Sequence, residues 1–153
     1  MRGTQPRHLL VGAGVAAVLG FVVARWVESS GGSPLPVPWS ALAGMVAIAA
    51  GVVIVAWPVR RWNHGDRSRR LDPLRAARAA VLAKAASLSG AILVGWFAGQ
   101  GAAALGDLTI EPRRGRFVLA MVAVLVATLV LVAGLVGQRW CRRPPDEDEQ
   151  QRG

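Results

Sequence analysis

Lys84 and Ser87, three residues apart, are the pair whose types and spacing come nearest to chemistry. On a helix such residues share one surface, so an ammonium and a hydroxyl there can together hold an anion. The ordinary alternative is that the lysine reaches toward headgroups while the serine bonds back to its own helix. Upstream, Arg60 to Arg78 form a strongly basic stretch. Arg75 and Arg78 with Lys84 are the candidate contacts for an anion or a lipid headgroup. Charge that only sets membrane orientation accounts for the same residues.

The other reactive types are isolated. His8 and His64 stand far apart, and Cys141 is the single cysteine, so the pattern of a metal site is missing and no intrachain disulfide can form. Cys141 lies between Trp140 and Arg142, where positive charge favours a thiolate; an incidental free thiol is the plainer reading. Gly12-Ala13-Gly14-Val15-Ala16-Ala17 fits a loose dinucleotide pattern but sits inside an apolar run with no preceding strand. Ser87, Ser89 and Thr128 have no His, Asp or Glu within the apolar runs to activate them. We therefore expect no enzyme, no cofactor and no metal.

The elements that carry these residues are apolar runs. With 53% hydrophobic residues, a mean hydropathy of +0.39 and charge gathered in short blocks, the 153-residue chain reads as an all-α integral membrane protein. A span needs about 20 apolar residues. Four runs qualify, at about 9–27, 40–59, 79–103 and 117–137, within a transmembrane domain covering 1–143. The first run also resembles a signal peptide, with Val22-Val23-Ala24 as a cleavage-like site. Glu28 to Pro38 and Gly106 to Arg116 read as loops, and Pro58 falls where it helps to end the second run. Residues 144–153, with Asp146 to Glu149, read as a disordered acidic tail.

The third helix organises the rest. Asp72-Pro73 is a helix start, and the next proline is Pro112. From Leu74 to Leu105 it runs about 48 Å, longer than the roughly 30 Å of hydrocarbon, so its Arg75–Lys84 end projects on the cytoplasmic side. Along it Ala83, Ser87, Ala91, Gly95 and Gly99 recur every fourth residue and form a helix-packing face. Leu88, Ile92 and Trp96 make a neighbouring large row. Gly12, Ala16, Gly20 and Ala24 repeat the small pattern on the first run, and Ala43, Ala47 and Gly51 on the second. An Ala- and Gly-rich genome would produce such rows too, and on the second run the two explanations stand level.

Net charge is +9 and the pI about 11.7, but the basic residues flank apolar runs and make no aromatic-interleaved stripe, which points to a membrane surface and away from nucleic acid. With both termini cytoplasmic, twelve arginines fall inside: 2, 7, 60, 61, 67, 69, 70, 75, 139, 142, 143 and 152. Four fall outside, Arg25, Arg113, Arg114 and Arg116. Trp26 and Trp39 then mark the outer interface and Trp57, Trp62 and Trp140 the inner one; Trp96 fits neither.

Arg2-Gly3-Thr4, Pro34-Leu35-Pro36-Val37-Pro38-Trp39, Asp72-Pro73-Leu74-Arg75-Ala76-Ala77-Arg78, then Leu82-Ala83-Lys84-Ala85-Ala86-Ser87 and Gly90, resemble the actinobacterial membrane proteins grouped as domain of unknown function 3180. The likeness covers about Met1 to Arg143 and is most distinctive on the third helix. It implies four spans in a bacterial plasma membrane and supplies no activity. The expected role is non-catalytic, through helix–helix association with a second copy or a membrane partner, with the small-residue groove of the third helix as the contact face and its basic extension as the cytoplasmic contact. A small transporter-like subunit for an anionic solute or headgroup, with Arg78, Lys84 and Gln100 along its path, is the alternative.

Overall fold

A computed structural model describes residues 6–32, 38–63, 73–105 and 111–141. They form four α-helices, with no strand among the described residues: α1 (Pro6–Ser29), α2 (Trp39–Asn63), α3 (Pro73–Ala104) and α4 (Glu111–Trp140). Each is long and apolar enough to cross a membrane. The acidic tail and the whole of the 64–72 segment lie outside the described residues.

Three boundaries differ from the sequence reading, the smallest being that of α1, which takes in Glu28 and Ser29. α4 starts at Glu111, taking in the Glu111–Arg116 stretch expected as loop. Glu111 places a carboxylate in the first turn and Pro112 sits beside it, where a missing N–H costs nothing, so the basic segment is helical despite its polarity. α2 runs through Pro58 to Asn63. The ring removes one hydrogen bond of the ladder, a loss tolerated near a helix end in a packed apolar bundle. α1 ends by a definite device. The Ser29 and Ser30 hydroxyls each donate to the Trp26 carbonyl at 2.8 Å, the Gly32 N–H donates to Val27 at 3.0 Å, and Gly31 takes a φ of +72°.

α3 is the spine. α1 packs on α3 alone among the described helices, while α4 and α2 pack on α3 and on each other. Gly12 approaches Ile92, Ala13 lies against Gly95 and Ala17 against Gly99, so α1 runs parallel to α3. Gly90 meets Leu131, Ser87 meets Gly134 and Ala83 meets Gly137, so α4 runs antiparallel. Leu42 joins Phe97, Ala123 and Ala127 toward one end, and Val52 joins Ala83, Ala86 and Val130 toward the other.

The interior is built from alanine, with Ala83, Ala123 and Ala127 wholly buried. Short side chains let the helix axes approach until backbone touches backbone. The long apolar side chains point outward: Leu10, Val11 and Val18 on α1, Ile54 on α2, Leu125 and Leu129 on α4 are largely exposed. In water that surface would be a severe liability, and in a bilayer it is the solvated one.

Candidate functional site

The five small residues of α3 are all buried, and they serve two different neighbours. Four residues rotate a helix by 400°, so an every-fourth row advances about 40° per step and from Ala83 to Gly99 turns through about 160°. Ala83 and Ser87 accordingly meet Gly134 and Gly137 of α4, whereas Gly95 and Gly99 meet the Ala13 and Ala17 carbonyls of α1. Ala91 is buried between the two ends of the row. The contact is reciprocal, for Gly20 of α1 rests on the Trp96 carbonyl. Trp96, which fits neither interface in the sequence, thus contributes its backbone to a helix crossing.

Ser87 is the one polar residue among the buried side chains described. Its hydroxyl donates to the Lys84 carbonyl at 2.9 Å and accepts from Gln138 Nε2 at 2.6 Å. The same amide nitrogen lies 3.4 Å from the Ala83 carbonyl. The serine hydrogen is therefore committed to its own helix and its lone pair to α4. Lys84 and Ser87 do not make one anion site: the lysine side chain is exposed, the serine enclosed. Gln138 was missed in the sequence because an amide at the end of an apolar run reads as an interfacial residue. The nearby small residues Gly134 and Gly137 were the signal that its helix approaches closely.

Arg78 is exposed on α3, and the Arg75 side chain lies outside the described residues. Arg78 and Lys84 are about 120° apart around the helix, and Lys84 and Gln100 about 160°. These three residues do not line one face.

The row on α2 has a different fate. Ala43 and Ala47 are exposed, and a Cβ built on Gly44 or Gly51 would meet nothing within 4 Å. The opposite side of α2 supplies Leu42, Val52 and Ala56 to the interior. α2 therefore turns a small-residue face outward.

The two ends of the bundle are chemically unlike. At one, Arg116 and Glu28 approach to 3.9 Å, and Arg25, Trp26, Glu28, Ser29 and Arg113 line an open hollow. At the other, the Arg60 guanidinium stacks 5.4 Å from the Trp57 ring centre and 4.9 Å from that of Trp140. The two indoles meet edge to face, 6.0 Å apart at 81°. Cys141 follows immediately, and burial pushes its thiol pKa up, away from the activated thiolate that neighbouring charge alone suggests. No group of three or more metal-ligating side chains occurs among the described residues.

The family model described as "Protein of unknown function (DUF3180)" matches residues 9–145, almost the whole helical bundle. No curated protein and no solved structure matches the chain.

Proposed function

The chain belongs to the DUF3180 family, and from that premise we propose that it is a multi-pass protein of a bacterial plasma membrane which acts without catalysis, by helix–helix association. Both termini are cytoplasmic in this reading, and the Arg75–Lys84 end of α3 projects on that side. The charge balance between the two ends supports this orientation, with twelve arginines on the proposed inner side against four on the outer.

The observation that carries the association reading is the outward face of α2. Gly20, Gly90, Gly95, Gly99 and Gly134 each abut the backbone of another helix, whereas Gly44 and Gly51 abut nothing. In hydrocarbon, exposed small residues gain little from lipid and allow another helix to come close. The face thus suits a second copy of the chain or a membrane partner. The groove of α3, expected as the contact face, is instead covered by the chain's own α1 and α4 and serves the fold.

The test is co-capture from native membranes of two differently tagged copies and of whatever travels with them. Gly44→Leu combined with Gly51→Leu should abolish co-capture while leaving the monomer folded, since both side chains extend into open space. Association unchanged by that double substitution would defeat the reading.

A further inference from the structure

We propose that Arg60, held against the Trp57–Trp140 pair, binds the phosphate of an anionic phospholipid headgroup at the end of the bundle where α2 and α4 finish. The inference rests on the reading that the helices span a bilayer, and is independent of the association face on α2.

Stacking fixes a guanidinium without using its hydrogens. Cation–π attraction draws the guanidinium onto the aromatic pair, and its five N–H donors lie in its own plane. Arg60, 5.4 Å and 4.9 Å from ring centres that are themselves 6.0 Å apart, rests against one side of the edge-to-face pair, which restrains its planar fork of donors. That geometry matches two oxygens of a phosphate, which a mobile ammonium does not select as well. Among the described residues no carboxylate pairs with it, and the described acids, Glu28 and Glu111, lie at the other end of the bundle. There Glu28 stands beside Arg116 and lines the hollow with Arg25 and Arg113, making that place a poorer anion site.

Depth agrees with charge. Tryptophan settles at headgroup level, so Trp57 and Trp140 place the guanidinium where phospholipid phosphates lie. Arg61 and Arg139, both exposed nearby in sequence, add positive potential. Arg60 itself is half-buried, so part of it stays open to the surface.

The full chain, purified in mild detergent, is incubated with equimolar phosphatidylglycerol and phosphatidylcholine, and retained lipid is measured by native mass spectrometry. The expected result is about fivefold preferential retention of phosphatidylglycerol. The preference should fall to near parity in Arg60→Gln and persist in Arg61→Gln. Equal retention of the two lipids by the unmodified chain would overturn the proposal without reference to any variant. So would an unchanged preference in Arg60→Gln, which would leave the stack as a pure latch between α2 and α4. Displacement of the lipid by millimolar inorganic phosphate would make the ligand a soluble phosphate and refute the membrane source.

Discussion

Gly95 of α3 lies so close to the carbonyl oxygen of Ala13 in α1 that no Cβ fits between them. The same is true of Gly99 and Ala17 one turn on. Apart from the Glu28–Arg116 approach to α4, α1 packs on α3 alone among the described helices, so these two glycines are central to how the first span is held.

Gly95→Leu or Gly99→Leu should therefore destabilise the bundle by about 1–3 kcal/mol, the usual cost of overpacking, and more if the crossing cannot shift. Denaturant titration in detergent micelles measures this. Gly14→Leu, on the same α1 but facing open space, is the control and should change stability by less than about 0.5 kcal/mol.

The Ser87–Gln138 hydrogen bond joins α3 to α4 inside the apolar region. Such bonds average about 0.6 kcal/mol in membrane proteins, because the separated helices also find polar partners. A double-mutant cycle of Ser87→Ala and Gln138→Leu should return a coupling near that value. Coupling indistinguishable from zero would mean that the amide serves the Ala83 carbonyl alone.

How much of this was legible beforehand follows from the period of the helix. Four apolar runs and the long third helix are visible in composition and in Asp72-Pro73, and the bundle has them. The five residues of the every-fourth row on α3 are buried, as residues four apart stay roughly on one side. Over five repeats the 40° drift divides the row between two partners, which needs the partners' positions to see. Lys84 and Ser87 part company for a similar reason: spacing says which residues are neighbours, and tertiary packing decides which of them is enclosed. The Arg60 stack joins residues 57, 60 and 140 across two helices, and spacing within one helix cannot reveal such a meeting.

Burial raises the Cys141 pKa, so the folded chain holds the thiol proton to higher pH than the unfolded chain does. Alkylation by iodoacetamide should accordingly rise with pH along a curve displaced upward, and the displacement should vanish in denaturant. The sign for stability follows: as pH climbs above the unfolded thiol's pKa, the unfolded state loses its proton first, and the folded state loses relative stability. A curve displaced downward would restore the reactive-thiolate reading.

Glu28 and Arg116, 3.9 Å apart and partly exposed, make a weak pair, and Glu28→Gln should cost no more than about 1 kcal/mol. A thermal scan at low and high salt measures it, and the small loss should shrink further in salt.

Orientation is open to reporter fusions. A cytoplasm-active reporter should work at both termini, and a reporter active only outside should work within residues 33–37. The reverse pattern at either terminus would contradict the charge argument.

The association reading is tested most directly by a cysteine scan of α2 in a Cys141→Ser background, with cross-linking in native membranes. Adducts should form at Ala43, Ala47 and Gly51, and fail at Leu42, Val52 and Ala56, which the chain's own helices bury. A monomer at every position, or adducts spread evenly around the helix, would contradict it.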